Sequence, residues 1–241
     1  MNRLPTKKCV MQLENVGVYY GRRQGFFHQD RFWALKDISF DLCYGETLGI
    51  IGRNGVGKST LLKVMAKIIS PNVGKITHNG IRASLLSLQA GFSPHLSGRE
   101  NAVLSGMLLG MRRKEVESKM NHIIAFSELE DFIDQPIKSY SSGMIARLGF
   151  AIAFQVDPEL LLIDEVIGVG DAAFMMKSTI AMKKRIRSGR TVVMVSHNDA
   201  LISELCDRAI WIEEGGVRAE GNVPDILEVY KKYVANYKKQ K

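Results

Sequence analysis

Residues 52–59 read G-R-N-G-V-G-K-S, which satisfies the spacing G-x-x-x-x-G-K-[ST]. The glycines let the backbone wrap tightly, so that successive N–H groups and the start of the following helix face an anion. Lys58 would neutralise phosphate charge, and the hydroxyl of Ser59 would bind Mg²⁺. An apolar run, Thr47–Ile51, precedes the loop, and helical apolar spacing follows it. The pattern predicts binding of a nucleoside triphosphate by Gly52, Arg53, Asn54, Gly55, Val56, Gly57, Lys58, Ser59 and Thr60.

Two carboxylates follow a second apolar run. Residues 160–163 are Leu-Leu-Leu-Ile, and Asp164 and Glu165 come directly after them. Ligands of α/β proteins bind at the carboxyl edge of such buried strands. We therefore expect Asp164 to hold the Mg²⁺ shell through water and Glu165 to polarise the attacking water as a general base. Without the phosphate loop, two surface carboxylates after a core strand would be the simpler interpretation.

The elements that must position these residues alternate along the chain. Strand patterns fill the first third, residues 97–157 are almost wholly helical, and strand and helix alternate again afterwards. This order predicts a mostly parallel sheet with helices on both faces. The predicted strands are 10–16, 38–42, 47–51, 74–77, 83–88, 160–163, 191–195 and 209–212, and the predicted helices outside the helical region are 58–69, 172–187, 200–206 and about 223–235.

Composition limits the class of protein. The 241 residues are 46% hydrophobic, which excludes a disordered or collagenous chain. The three cysteines are odd in number and widely spaced, which speaks against disulfides or a zinc site and favours a reducing cytosol. We expect neither a signal peptide nor a membrane-spanning helix. The net charge of +8 favours a solvated surface over nucleic-acid binding, and the lysine-rich tail, about 231–241, is expected to be frayed.

A third motif makes the family resemblance visible. Ser141, Ser142, Gly143 and Met144 lie in the helical region shortly before Asp164. With the phosphate loop and the acidic pair, this order resembles the ATPase subunits of ABC transporters along nearly the whole chain. The resemblance implies an α/β fold, a P-loop NTPase of the ABC nucleotide-binding type, forming a single domain over 1–241 with an antiparallel β subdomain and a helical subdomain at about 93–157. It also implies that these four residues contact ATP held by the other subunit of a homodimer.

The resemblance assigns roles to further residues. Asp171 matches the aspartate of the family's D-loop, and His197, which follows a predicted strand, matches the histidine that contacts the γ-phosphate. A lone histidine is otherwise more often structural. Tyr20 matches the aromatic residue that stacks on adenine, and Tyr19 is a neighbour that the sequence alone does not exclude.

Two departures qualify the match. Ser142 and Met144 stand where many members of the family have glycine and glutamine. The glutamine that contacts Mg²⁺ and water would fall on Leu88 by spacing, and Gln89 is one residue away. Gln89 is the candidate for that role, and otherwise water and Mg²⁺ are contacted differently.

Four strings narrow the resemblance: FWALKDISF (32–40), GFSPHLSGREN (91–101), YSSGM (140–144) and DEVIGVGD (164–171). They are similar to the ATPase subunits of polysaccharide exporters. Resemblance to that group implies a homodimer that uses ATP and Mg²⁺ and that binds two copies of an integral membrane permease subunit. It also implies export of a lipid-linked, O-antigen-like glycan. The chain would bind peripherally to the cytoplasmic face of the inner membrane. Alternatives are another cargo, such as teichoic acid, capsule, a drug or a lipid, or a soluble ABC ATPase acting on ribosomes or nucleic acid. Nucleic acid is not an expected partner.

Residues 21–33 form an aromatic and basic insertion, longer than ABC ATPases generally show. Its composition suits a membrane-interface position. The resemblance implies a role near the entry of the lipid-linked substrate. Alternatively, Phe32 and Trp33 begin the next strand and pack in the core. After His197 we expect the closing strands and one helix, without a polymer-recognition domain.

Overall fold

The computed structural model describes residues 8–24, 28–88, 90–165 and 168–239. These residues form two compact units. The first unit takes in the described residues up to Leu85, Glu159–Glu165 and the residues from Ile186 onward. The second unit comprises Leu86–Pro158 and the described residues up to Arg185 that follow Glu165, and it contains the predicted helical region.

A single sheet runs through the first unit. Within the described residues its strands are, in chain order, β1 to β9: Cys9–Gln24, His28–Cys43, Thr47–Ile51, Val73–His78, Ala83–Leu85, Leu160–Asp164, Thr191–Val195, Arg208–Glu213 and Gly216–Gly221. Their spatial order is β4-β1-β2-β9-β8-β3-β7-β6-β5. Strands β8, β3, β7, β6 and β5 are parallel neighbours, whereas β1 pairs with β2 and β4 in antiparallel fashion. The sheet therefore joins a parallel half to an antiparallel half, as predicted.

Helices cover both faces of this sheet. Leu48 and Ile50 of β3 lie in one core with Leu61 and Leu62 of helix α1 (Lys58–Met65). Gly49 points the opposite way, and a Cβ there would lie 3.2 Å from Ile202 of helix α7 (Asp199–Leu205). Because side chains alternate between the faces of a strand, α1 and α7 lie on opposite sides. The predicted two-sided packing is confirmed.

The second unit is helical. Its helices within the described residues are α2 to α6: Gly98–Leu108, Arg113–Ser118, Met120–Ser127, Ser142–Ala153 and Ala172–Ile186, of which the last residue belongs to the first unit. Ser97 begins α2 with a capping box, accepting from the Glu100 N–H while the Glu100 carboxylate accepts from the Ser97 N–H. Val116, Leu148 and Ile152 lie in the core that joins α2 to α5.

Several predicted elements differ from the structure, among them the strand at 83–88, which ends at Leu85. The short strands at 10–16 and 38–42 belong to a hairpin of two 16-residue strands, so that much of the stretch 21–33 lies in paired strands, with Gly21 opposite Arg31. Helix α1 ends at Met65 rather than at residue 69, and Lys67 adopts a left-handed conformation. Strand β9 was missed because Gly216–Gly221 has few apolar residues. Among the described residues no helix is long and apolar enough to cross a membrane.

The last helix, α8, spans Val223–Lys239. Asn222 accepts a hydrogen bond from the N–H of Asp225 at its first turn. The expectation of a frayed tail is wrong as far as Lys239. Tyr233 packs on Trp211 of β8 with ring centroids 4.9 Å apart, so that aromatic burial extends the helix into the lysine-rich segment.

Candidate nucleotide-binding site

The phosphate loop connects β3 to α1, and close backbone packing explains its glycines. Gly57 caps α1 in a left-handed conformation (φ 103°), and a Cβ there would lie 2.3 Å from the carbonyl oxygen of Ala34. A Cβ on Gly52 would lie equally close to the carbonyl oxygen of Ile212. Among the described residues no side chain caps α1. The first N–H groups of this helix are therefore available to an anion.

Lys58 is the buried cation of this loop. Its side chain donates hydrogen bonds of 2.8 Å to the carbonyl oxygens of Gly52 and Arg53. Burial lowers the pKa of Lys58, while the nearby charges of Glu165 and Asp164 act in the opposite direction. The loop thus carries a partly desolvated ammonium group whose present partners are neutral carbonyls, which an incoming phosphate oxygen can replace.

A cavity of about 400 Å³ opens beside the loop. Within the described part of the chain it is lined by Tyr20, Phe32, Ala34, Asn54, Gly55, Gly57, Lys58, Ser59, Thr60 and Glu165. Its walls therefore combine two aromatic rings, a lysine and the start of α1. This composition suits a nucleotide, which has a flat base and a charged phosphate chain.

The antiparallel hairpin decides which tyrosine faces this cavity. Tyr20 lies opposite Phe32 in the β1–β2 register, and about half of each side chain is exposed. Tyr19, one residue earlier, points to the other face, where its ring packs edge-on against Trp33 at 5.1 Å and the guanidinium of Arg31 lies 4.7 Å from its centre. Tyr20 rather than Tyr19 is the candidate for base stacking. Trp33 is half-buried, and Phe32 lines the cavity instead of the core.

The two candidate catalytic residues meet at the ends of neighbouring parallel strands. Asp164 of β6 lies beside Val195 of β7, and the N–H of Glu165 donates to the carbonyl of Val195 at 3.0 Å. The carboxylate oxygen Oε1 of Glu165 lies 2.7 Å from Nε2 of His197. Glu165 has φ 60°, a left-handed conformation that is rare for a side chain of this size. Such local strain is typical of functional sites.

His197 is held in the turn between β7 and α7. The hydroxyl of Ser196 accepts a hydrogen bond from the N–H of Asn198, and the side-chain oxygen of Asn198 accepts from the N–H groups of Ala200 and Leu201. These contacts fix the backbone on the carboxyl side of His197. The imidazole, close to half exposed, therefore reaches Glu165 from a defined position.

These residues fit a nucleotide with Mg²⁺. The Ser59 hydroxyl and the Asp164 carboxylate supply the oxygen ligands that Mg²⁺ prefers. Among the described residues no group of three His, Cys, Asp or Glu side chains could hold a metal alone. Mg²⁺ is usually held by one or two protein carboxylates or hydroxyls together with substrate phosphates and water.

The remaining predicted residues lie in the second unit. Ser141 caps α5 and accepts a hydrogen bond from the N–H of Met144, so that Ser141, Ser142 and Gly143 stand at the start of this helix. Asp171 accepts from the N–H of Phe174 at the start of α6, and this bond holds the pKa of its carboxyl below the usual range. Ser141, Ser142 and Asp171 are exposed, whereas Gly143 and Met144 are partly buried. Gln89 lies outside the described residues.

Three residues were not predicted. Phe32 and Ala34 were not assigned to the nucleotide cavity, and Glu213 was missed altogether. Glu213 binds the Arg53 guanidinium, with its Oε1 2.9 Å from Nε. The phosphate-loop pattern placed Arg53 among the nucleotide ligands, yet its side chain is turned to Glu213. Arg53, Gly52 and Val56 are not among the residues that line the cavity. The pairing register of β1 with β2 is the only signal that could have found Phe32.

Comparison with known proteins settles the family. The sequence profile described as ABC transporter matches residues 35–168, more than half of the chain. The chain belongs to the ABC transporter family. It is 47% identical over 205 residues to an O-antigen export system ATP-binding protein, RfbB, of Klebsiella pneumoniae, covering 85% of this chain and 83% of that protein. It is 45% identical over 208 residues to a teichoic acids export ATP-binding protein, TagH, of Lactococcus lactis, covering 86% of this chain and 44% of that protein.

Solved structures show the same fold. The dimeric structure of a post-hydrolysis state of the ATP-binding cassette MJ0796 bound to ADP and Pi has a TM-score of 0.70 and 24% identity, over 88% of this chain and 98% of that chain. An ATP-binding subunit of an ABC transporter has a TM-score of 0.71 and 23% identity, over 92% and 93%. The predicted family, the ABC nucleotide-binding fold and the enzyme class, an ATPase, are confirmed. So is the resemblance to polysaccharide-exporter ATPases.

Proposed function

We propose that this ABC-family chain hydrolyses ATP to drive export of a lipid-linked polysaccharide through a membrane permease. One observation carries the catalytic part. The phosphate loop and Glu165 line one cavity, and Glu165 contacts His197 at 2.7 Å. The O-antigen export relative, of which the match covers 83%, supports the cargo.

The roles of the residues follow from their positions. Tyr20 stacks on the adenine ring, and Lys58 exchanges its two carbonyl partners for phosphate oxygens. The N–H groups at the start of α1 hold the phosphates. Ser59 and Asp164 would hold Mg²⁺, with Gln89 as a further candidate. When bound, Mg²⁺ neutralises phosphate charge that develops during transfer.

Glu165 acts as the general base. In the described part of the chain the exposed His197 is its one fixed side-chain partner, so its carboxylate can accept a proton from the attacking water. His197 holds this carboxylate in place before nucleotide binds and then contacts the γ-phosphate. This role needs only a short rotation of two side chains that are each about half exposed.

The second unit supplies the motifs that act on the partner's nucleotide. Ser141 with the N–H of Gly143 stands at a helix start, where donors favour an anion. In the proposed homodimer these groups and Asp171 complete the site of the opposite subunit. The dimer binds two permease subunits at the cytoplasmic face of the inner membrane, without nucleic acid as a partner.

The test is purification of the tagged chain from detergent-solubilised native membranes, with Lys58→Ala as the control. We expect a multi-spanning protein in stoichiometric amount. The ATPase activity of the purified complex should rise when lipid-linked glycan extracted from the same membranes is added. It should not rise when bulk phospholipid is added. Recovery of ribosomes or nucleic acid without a membrane protein would contradict the proposal.

Teichoic acid is the second candidate cargo, because relatives named for its export are 42–45% identical to this chain. The same assay separates the two cargoes. Stimulation by a polyol-phosphate polymer on its lipid carrier, and not by a neutral lipid-linked glycan, would favour teichoic acid.

A further inference from the structure

Arg53 lies in the phosphate loop, but its side chain is held from outside the loop. Its Nε and Nη2 both donate to Oε1 of Glu213, at 2.9 and 2.5 Å. The Glu213 side chain is 4% exposed, and its second oxygen, Oε2, is buried without a hydrogen-bond partner in the described part of the chain. Glu213 therefore depends on Arg53 as its counter-charge, because a buried carboxylate without one is strongly unfavourable.

The C-terminal helix covers this ion pair. The guanidinium carbon of Arg53 lies 4.0 Å from the centre of the Tyr237 ring, within the range of a cation–π contact. Tyr237 packs in turn against Tyr233, with centroids 6.1 Å apart, and Tyr233 packs on Trp211 at 4.9 Å. A continuous aromatic row thus leads from the sheet along α8 to the phosphate loop.

The row is anchored independently of the loop. Tyr230 also packs on Trp211, and Lys231 forms an ion pair of 3.2 Å with Asp199 of α7. These contacts fix the middle of α8 to β8 and α7. The end of the helix, where Tyr237 lies, is therefore placed by the sheet and not by Arg53 alone.

The backbone of Arg53 connects this contact to the phosphate site. Its carbonyl oxygen accepts one of the two hydrogen bonds of Lys58. The preceding Gly52 packs so closely on β8 that a Cβ would meet the Ile212 carbonyl oxygen at 2.3 Å. A shift of Arg53 would therefore move both the start of the loop and the partner of Lys58.

We propose that Glu213 and Tyr237 are positioning residues that act through Arg53, so that the C-terminal helix sets the affinity of the phosphate loop for ATP. Arg53 then positions the phosphate loop and is not itself a ligand of the nucleotide. A partner that moved the end of α8 would change ATP affinity without touching the nucleotide. This inference rests on the phosphate-binding role proposed above for Lys58 and the start of α1.

The test compares Tyr237→Ala with Tyr237→Phe in the full chain. The Phe variant keeps the ring face and the Ala variant removes it. We expect Tyr237→Ala to raise the Kd of a fluorescent ATP analogue roughly 3–10-fold. In the complex with its membrane subunit it should raise KM for ATP by a similar factor, with kcat within about twofold of wild type. Tyr237→Phe keeps the ring but removes the hydroxyl, which also hydrogen-bonds the Arg53 side chain, and should restore part of the loss in both values.

Two further variants complete the design. Lys232→Ala is the matched control, because this exposed residue of α8 pairs with Glu228 of the same helix and, among the described residues, with no other side chain. It should bind ATP as wild type does. Glu213→Gln keeps the shape of the side chain, removes its charge and should weaken ATP binding at least as much as Tyr237→Ala.

Two results would overturn the inference: wild-type affinity in Tyr237→Ala, or an equal loss in Lys232→Ala. Lys58→Ala separates this failure from that of the proposed function. If Lys58→Ala still binds ATP normally, the phosphate-loop role itself is wrong and the inference falls with it. If Lys58→Ala loses its affinity for ATP and Tyr237→Ala does not, only the proposed positioning role of Glu213 and Tyr237 is wrong.

Discussion

Replacement of Gly57 by alanine should damage the phosphate loop through a steric clash with the backbone. Gly57 has φ 103°, and an added Cβ would lie 2.3 Å from the Ala34 carbonyl oxygen and 2.8 Å from Leu35 Cδ2. The left-handed conformation costs alanine about 1–2 kcal/mol. Because the nearest atom belongs to the backbone of β2, the clash is relieved only by moving the loop or the strand, at a further cost of about 1–3 kcal/mol.

Gly110 separates the two costs. It has φ 97°, close to that of Gly57, but a Cβ there would meet no atom within 4 Å among the described residues. In Gly110→Ala the free energy of unfolding should therefore fall only by the cost of the left-handed backbone conformation. Equilibrium unfolding in urea measures both variants against wild type, and we expect Gly57→Ala to lose about 1–3 kcal/mol more than Gly110→Ala at an unchanged m value.

Nucleotide binding gives the second readout. Gly57 caps α1 beside Lys58, so a displaced loop should also weaken ATP binding, by about tenfold or more for each 1.4 kcal/mol of lost interaction. Gly110→Ala should bind ATP as wild type does. Equal unfolding free energies for the two variants, together with normal ATP affinity in Gly57→Ala, would refute the packing argument.

Two further predictions concern catalysis and charge. Glu165→Gln should slow ATP hydrolysis by about 10²–10⁴-fold while ATP still binds, because the amide cannot accept the proton of the attacking water. Glu214→Gln is the control, because Glu214 is an exposed glutamate that also has a left-handed backbone conformation. Normal turnover in Glu165→Gln would exclude Glu165 as the base. Burial lowers the pKa of Lys58 below its ordinary value of 10.5. At pH values between the lowered pKa and 10.5, Lys58 is therefore protonated in the unfolded chain and deprotonated in the folded chain. The unfolding free energy of wild type should therefore rise with pH, relative to Lys58→Met, from the lowered pKa up to about 10.5, and a flat difference measured by urea unfolding would contradict this.

The sequence by itself determined the parts of the site that are local in the chain. Thr47–Ile51, the glycine loop and Lys58 form one continuous unit whose conformation depends on neighbouring residues. For the same reason Asp164 and Glu165 could be placed at the end of a buried strand. Ser141 could be placed at a helix start, because a cap is also decided within a few residues.

Only the tertiary structure decided which distant residues meet these parts. The β1–β2 register turned Tyr20 to the cavity with Phe32 and turned Tyr19 away, because one residue reverses the face of a strand. The contact of Glu165 with His197 depends on β6 and β7 lying side by side. The link from Arg53 to Tyr237 joins segments far apart in sequence through burial and ring packing, and no pattern along the chain records such a contact.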